Sequence, residues 1–376
     1  MPQLTEPANL PPAPYNNSDV KFLNATLRQT FKVSRGARRV RMRFTNVFGG
    51  SNLDITSAWL ARPLNGSVGT SSIVARSQHQ LTFSNLTSFS VPNGALVVSD
   101  PVHMDVANNE NLTVSMYLGG GQAGADITSH PGSRTTTYIA AGDQTRSSNV
   151  TDAVTTEHWY FIDALEVEQQ QGRAIVIVGD SLTDGRASTE NGNDRWPDQF
   201  YARFPHDTAV TYLNQAAGGN RVLADGLGPN ALGRIDRDVL AQTGAHWVIL
   251  FEGVNDIGTA DATPAAQDAV VKQLLAAYDQ IITRVHAQGK TIYGATITPF
   301  GLNTYGSALR EASRQTVNDW IRSSQHFDAV LDFDAVVRDP ANHSVIASKY
   351  DSGDGLHMNP AGYGALAASI PLSLFE

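Results

Sequence analysis

Four short polar segments in the second half of this chain contain the residue types needed for nucleophilic acyl transfer. They centre on Ser181, Gly219, Asn255 and His357. A serine hydroxyl is a poor nucleophile near neutral pH, and it needs a base within hydrogen-bond reach. Histidine suits that role because its pKa lies near working pH. Each segment alone is more often structural, since Gly-Asp-Ser and Asn-Asp sequences commonly form turns, but together they are chemically complementary.

The other parts of such a reaction can come from the same segments. The imidazole of His357 needs a carboxylate that fixes its tautomer, and Asp354, three residues earlier, could provide it. A tetrahedral oxyanion needs hydrogen-bond donors. The backbone N–H groups of Ser181 and Gly219 and the carboxamide of Asn255 offer three.

The pattern of residues 173–376 predicts the scaffold that would bring these segments together. Apolar, β-branched runs predict five strands at 174–178, 209–213, 247–251, 291–297 and 329–333. Amphipathic stretches between and after them predict helices at 264–288, 307–324 and 361–374, the last one capped by Asn359. This alternation predicts a parallel sheet covered on both faces, with its ligand site beyond the carboxyl ends of the strands. We therefore expect all four segments at one rim of the sheet.

Residues 1–168 have a different periodicity. Short alternating runs, separated by turns rich in Gly, Pro and Asn, predict many short strands and no helix. This pattern is typical of an all-β sandwich. The polar run at 168–172 then marks the expected domain boundary, with a second domain over 173–376.

With these motifs in this order, the chain resembles the SGNH (GDSL-type) hydrolase superfamily of esterases and acylhydrolases over nearly all of residues 173–376. The resemblance implies a flavodoxin-like α/β domain with a five-stranded parallel sheet. It also implies that Ser181 is the nucleophile, His357 the base and Asp354 its partner. Ser181, Gly219 and Asn255 would form the oxyanion hole, and no cofactor would be needed.

Two of these positions have a neighbour of the same residue type. Gly218 could take the place of Gly219, which we assign from its spacing to Asn214. Asp351 also lies near the histidine, but only Asp354 has the three-residue offset of the family.

A finer resemblance involves the β half and the segments 193–197, 254–258 and 351–354. They are similar to secreted members that act on plant cell-wall polysaccharides and carry an N-terminal β-sandwich, here expected to be jelly-roll-like. This similarity implies a serine esterase for short acyl esters, mainly acetyl esters, on carbohydrate. The alternatives are a lipase, arylesterase or thioesterase on other acyl esters, or a non-catalytic carbohydrate-binding protein. The sandwich would brace the catalytic domain or bind carbohydrate, and we favour bracing because Trp59 and Trp159 lie in runs that predict packed rings.

Composition excludes several other classes of function. The 376 residues include 27 Lys and Arg against 36 Asp and Glu, a net charge of −9, which argues against nucleic-acid and anionic-membrane partners. No apolar stretch approaches the roughly 18 residues of a membrane span. The absence of cysteine excludes disulfides, a thiol nucleophile and thiolate metal sites, and the scattered histidines predict no metal site. We expect a monomer that acts on a small-molecule or polysaccharide ester.

Seven Asn-x-Ser/Thr triplets suggest passage through a eukaryotic secretory pathway. Six of them precede residue 152, where chance would spread them more evenly. We expect a secreted glycoprotein whose signal peptide lies outside this numbering, because no basic and apolar leader precedes Pro2. The candidate glycosylation sites are Asn16, Asn24, Asn65, Asn85, Asn111, Asn149 and Asn342.

Overall fold

Short antiparallel strands make up the first half of the chain in the computed structural model, which describes residues 1–376. Strands β1 to β17 are Gln3–Leu4, Val20–Lys21, Ala25–Lys32, Arg39–Thr45, Leu53–Ile55, Ser57–Ala61, His79–Gln80, Phe89–Val91, Leu96–Val98, Val102–His103, Asn111–Leu118, Gln122–Ala123, Thr128–His130, Thr137–Ala141, Val154–Thr156, Trp159–Tyr160 and Ile162–Val167. The largest sheet has the order β15-β14-β3-β11-β6-β7. A second one has the order β10-β4-β17, with β9 also paired to β4.

These two sheets share one apolar core. Leu27 and Met116 of the six-stranded sheet belong to the same buried cluster as Met42 and Phe44 of the other. Alternate residues of β4 are less buried, as the period of two requires. The predicted all-β sandwich is therefore confirmed. Strand β7 has only two residues, His79–Gln80, because the chain turns sharply soon afterwards and Phe83 pairs with Leu86.

One arginine is fully buried inside this sandwich. The guanidinium of Arg28 donates to Ser115 Oγ at 2.8 Å, and its remaining hydrogen bonds, of 2.7–3.3 Å, go to the backbone carbonyls of Ser71, Gln144, Thr145 and Ser147. Burial without a carboxylate partner lowers the pKa of Arg28 to about 10. The guanidinium thus connects two loops to β3.

Replacing Arg28 with Met is expected to destabilise the fold by roughly 3 kcal/mol, because Ser115 Oγ and four backbone carbonyls lose their donor at once. The measurement is the midpoint of thermal unfolding. Arg41→Met is the matched control, since Arg41 lies on a strand with a half-exposed side chain and pairs only with Glu166. Equal shifts of the two midpoints would contradict the expectation.

Five parallel strands form the sheet of the second half. Strands β18 to β22 are Arg173–Gly179, Val210–Ala216, Ala245–Phe251, Thr291–Ala295 and Ala329–Leu331, in the order β19-β18-β20-β21-β22. Helices α1 to α8 are Ser181–Asp184, Trp196–Tyr201, Ala231–Ile235, Val254–Thr259, Pro264–Ala287, Ala308–Ser323, Phe333–Val337 and Pro360–Ser369. This strand order is the flavodoxin-like one, so the predicted α/β fold is confirmed.

Local sequence signals set the starts of the long helices. The side chains of Thr263, Ser307 and Asn359 each accept a hydrogen bond from a backbone N–H in the first turn of α5, α6 and α8. The prediction that the last helix reaches residue 374 was wrong. Helix α8 ends at Ser369, because Pro371 has no N–H to continue it, and a separate 3₁₀ turn follows at Leu372–Phe375.

The chain divides into two compact units. One comprises Met1–Gln170 with Glu190–Gly192, and the other comprises Gln171–Thr189 with Asn193–Glu376. That residues 1–168 and 173–376 are separate domains stays a prediction. None of the helices has both the length and the apolar composition needed to cross a membrane.

Candidate active site

Ser181 is the first residue of α1 and follows β18 after a single residue. That residue, Asp180, caps the helix, since its Oδ1 accepts a hydrogen bond of 2.8 Å from the backbone N–H of Leu182. The Oγ atom of Ser181 lies 2.8 Å from His357 Nε2, and the serine is 8% exposed. The backbone N–H of Ser181 donates to no protein acceptor, as expected at a helix N-terminus.

His357 is in turn held by Asp354. Its Nδ1 lies 2.6 Å from Asp354 Oδ2, while Asp354 Oδ1 accepts the backbone N–H groups of His357 and Leu356 at 2.8 and 3.0 Å. Partial burial alone would raise the pKa of Asp354, but the hydrogen bonds from His357 and Leu356 outweigh burial and lower the pKa to about 2. The carboxylate is therefore charged at neutral pH, which favours the tautomer with hydrogen on Nδ1 and leaves Nε2 as an acceptor.

Asp351 shapes the turn that carries Asp354. Its Oδ1 accepts the backbone N–H groups of Gly353 and Gly355 at 2.9 and 3.1 Å. Both glycines have positive φ, of 105° and 71°, which other residues rarely adopt. Of the two aspartates that the sequence places near the histidine, Asp354 is thus the one in contact with it.

The loop after β19 contains the two adjacent glycines. The N–H of Gly218 donates to Asp184 Oδ2 at 3.0 Å, whereas the N–H of Gly219 donates to no protein acceptor. Gly219 has φ 72°, and a Cβ atom there would lie 2.4 Å from Leu227 Cδ1. The available donor is therefore at Gly219, where a side chain would be both strained and crowded.

Asn255 lies in the first turn of α4, with its carboxamide held from both sides. Its Nδ2 donates to the backbone carbonyl of Asn220 at 2.9 Å, and the Tyr305 hydroxyl donates to its Oδ1 at 3.2 Å. Burial raises the pKa of Tyr305, so the hydroxyl keeps its proton. These contacts define the amide orientation and leave one Nδ2 hydrogen for another acceptor.

Two residues at this rim were missed by the sequence analysis. Tyr305 lies in the loop between β21 and α6, 50 residues from the asparagine it contacts, and no motif marks it. Asp256 is buried, and its two oxygens accept the N–H groups of Val222 and Leu223, both at 2.9 Å. It therefore connects the loop after β19 to α4. The only sequence signal for Asp256 was its position directly after Asn255.

The other predictions about sites concern metal binding and glycosylation. No group of three or more His, Cys, Asp or Glu side chains is arranged to hold a metal ion. Glycosylation stays a prediction, and Asn111 is the least accessible candidate, since it is half-buried and its Nδ2 donates to the Gly66 carbonyl at 2.9 Å. The exposed candidates are Asn16, Asn24, Asn65, Asn85, Asn149 and Asn342.

Comparison with known proteins identifies a family for the second half. A family model described as GDSL-like lipase/acylhydrolase matches residues 177–365. A solved GDSL-like lipase from Bacteroides thetaiotaomicron is 16% identical, with 55% of this chain and 90% of that chain covered and a TM-score of 0.41. An esterase from Pseudoalteromonas is 16% identical, with 52% of this chain and 93% of that chain covered and a TM-score of 0.38. A member of the lipolytic G-D-S-L family from Veillonella parvula is 18% identical, with 53% of this chain and 96% of that chain covered and a TM-score of 0.37. No curated protein matches.

Proposed function

We propose that this chain, which belongs to the GDSL-like lipase/acylhydrolase family and is an acyl-ester hydrolase, works through a Ser181–His357–Asp354 triad and an acyl-enzyme. The observation that carries the proposal is the unbroken series of contacts from Ser181 Oγ through the imidazole to Asp354, at 2.8 and 2.6 Å. The family assignment favours an enzyme over the non-catalytic carbohydrate-binding alternative.

In this mechanism Ser181 Oγ attacks the ester carbonyl carbon while its proton moves to His357 Nε2. The carbonyl oxygen becomes an oxyanion and receives hydrogen bonds from the N–H groups of Ser181 and Gly219 and from Asn255 Nδ2. His357 then protonates the leaving alcohol oxygen as the bond from carbon to that oxygen breaks, and Ser181 stays acylated. Water repeats the sequence on the acyl-enzyme and releases the carboxylic acid.

We further propose short acyl esters on carbohydrate, mainly plant cell-wall acetyl esters, as the substrate class. Three motif segments, 193–197, 254–258 and 351–354, support this class through their similarity to esterases of that kind. The presence of a β-sandwich ahead of the hydrolase sheet is also consistent with that group. Lipase, arylesterase and thioesterase activities are the competing outcomes.

The test compares p-nitrophenyl acetate, butyrate and octanoate, together with acetate release from acetylated plant cell-wall polysaccharide. We expect kcat/KM to be highest for acetate and to fall with chain length, and we expect the polysaccharide to release acetate. A preference that rises toward octanoate, without acetate release from the polysaccharide, would contradict the substrate class and favour a lipase.

Tyr305→Phe is expected to lower kcat roughly fivefold with little change in KM. The reason is that one hydrogen bond to Asn255, worth about 1 kcal/mol, orients a donor needed mainly in the transition state. Steady-state kinetics on p-nitrophenyl acetate would measure this change. Tyr293→Phe is the control, because that hydroxyl donates to the Leu374 carbonyl and contacts none of the proposed catalytic residues. Wild-type kcat in Tyr305→Phe would contradict the orienting role.

We also propose that the protein is secreted and carries N-linked glycans, as the seven Asn-x-Ser/Thr triplets suggest. Treatment of the native protein with an N-glycosidase should lower its mass. An unchanged mass would contradict glycosylation.

A further inference from the structure

Two buried acids occupy equivalent positions at the ends of two neighbouring interior strands of the parallel sheet. Strands β18 and β20 run parallel with Gly179 opposite Phe251, and the next residue on each strand is acidic, Asp180 on one and Glu252 on the other. Neighbouring strands lie about 4.8 Å apart. Asp180 is 0% exposed and Glu252 is 2% exposed. The two carboxyl groups are therefore enclosed together, and Asp180 directly precedes Ser181 in the chain.

Each of these acids has one oxygen with a hydrogen-bond donor and one without. Asp180 Oδ1 accepts the N–H of Leu182 at 2.8 Å, and Glu252 Oε1 accepts Arg234 Nη2 at 3.3 Å. Asp180 Oδ2 and Glu252 Oε2 are both buried without a donor. A buried anionic oxygen without a donor is costly, and a single proton placed between these two oxygens would satisfy both.

The surrounding charges favour one neutral member of the pair. Arg234 is the cation at this position, and it is shared with Asp238, whose carboxylate lies 3.4 Å from it. Burial raises the pKa of both Asp180 and Glu252, and the charge of Asp180 raises that of Glu252 further. The charges of Asp256 and Asp184 also raise the pKa of Asp180, and the charge of Asp256 also raises that of Glu252. Burial and the charges of these acids in turn raise the pKa values of Tyr278 and Tyr305.

We propose that Glu252 is a positioning residue that stays protonated and donates its Oε2–H to Asp180 Oδ2. This bond would hold the charged Asp180 as the cap of α1 and so fix the turn that presents Ser181. The proposal rests on the role of Ser181 as nucleophile. Loss of the proton at alkaline pH would leave two adjacent buried anions, weaken the cap and displace the serine.

The experiment compares Glu252→Gln with Glu252→Leu on p-nitrophenyl acetate across the pH range. The Gln amide can donate from Nε2 to Asp180 while its Oε1 still accepts from Arg234, so wild-type kcat is expected at neutral pH. For the wild type we expect kcat to decrease at alkaline pH, where Glu252 loses its proton. Because the amide cannot lose its proton in this way, that decrease should be absent from the Gln variant. The Leu variant removes the donor, and its kcat should fall at least tenfold with KM within twofold of the wild type.

Asp238→Asn serves as the structural control, since Asp238 is equally buried on the same arginine but has no hydrogen bond to the turn before Ser181. It should lower thermal stability without changing the pH profile. The same decrease in kcat at alkaline pH in the wild type and in Glu252→Gln would overturn the proposal, even if Glu252→Leu does not fold. So would a Gln variant as inactive as the Leu variant. Equal activity of wild type and Ser181→Ala would instead contradict the proposed function.

Discussion

Replacing Ser181 with Ala is expected to lower kcat/KM by a factor of about 10⁵, because no other group can form the acyl-enzyme. The residual rate would come from substrate binding and from the three oxyanion donors, which the substitution leaves in place. The fold should be unchanged. Only one oxygen is lost, and its contact within the protein is with His357 Nε2 at 2.8 Å.

The measurement is hydrolysis of p-nitrophenyl acetate by purified wild-type and variant protein. Ser188→Ala is the matched control, because Ser188 lies seven residues away, has the same 8% exposure and donates to the Gly185 carbonyl at 2.6 Å instead of contacting the histidine. It should keep wild-type activity. If Ser181→Ala and the wild type hydrolyse the ester equally, the nucleophile is assigned to the wrong residue.

Replacing Asp354 with Asn is expected to lower kcat by a factor of about 10⁴ with KM little changed, as in other Ser-His-Asp enzymes. The geometry explains the size of the effect. Oδ1 of residue 354 accepts two backbone N–H groups, so the new amide nitrogen must face His357 Nδ1. Nδ1 must then accept a hydrogen bond, which moves the imidazole hydrogen to Nε2. An Nε2–H cannot take the proton of Ser181.

Steady-state kinetics near neutral pH would measure this loss. The control is Asp279→Asn, which alters a second aspartate–histidine pair of the same unit, formed with His326 and half-exposed to solvent. That variant should behave as the wild type does. A loss smaller than tenfold in Asp354→Asn, or an equal loss in both variants, would contradict the assignment of Asp354.

Much of the fold could be predicted because local sequence encodes it directly. A strand buried on both faces must be apolar along its whole length, as 174–178 and 247–251 are, whereas a sandwich strand alternates. The starts of the long helices could also be predicted, since each is capped by a local side chain, namely Thr263, Ser307 and Asn359. The end of α8 was missed because its apolar pattern continues past Pro371, although the backbone cannot.

The sequence by itself determined the residue types of the site and the order in which they occur. Ser181, Gly219 and Asn255 each follow a strand, and the carboxyl ends of parallel strands meet at one rim. Their rough placement therefore needed no knowledge of tertiary contacts. His357 and the aspartate three residues earlier could be paired because that spacing is short.

Only the tertiary structure decided which chemically equivalent neighbour makes each contact. Gly219 and not Gly218 keeps a backbone N–H without an acceptor, because the neighbouring N–H is used by Asp184. Tyr305 reaches Asn255 across 50 residues of chain. The pairing of Asp180 with Glu252 depends on the register of two strands. Such contacts depend on distances between residues far apart in the chain and on which donors remain unpaired after folding, and no local pattern records either.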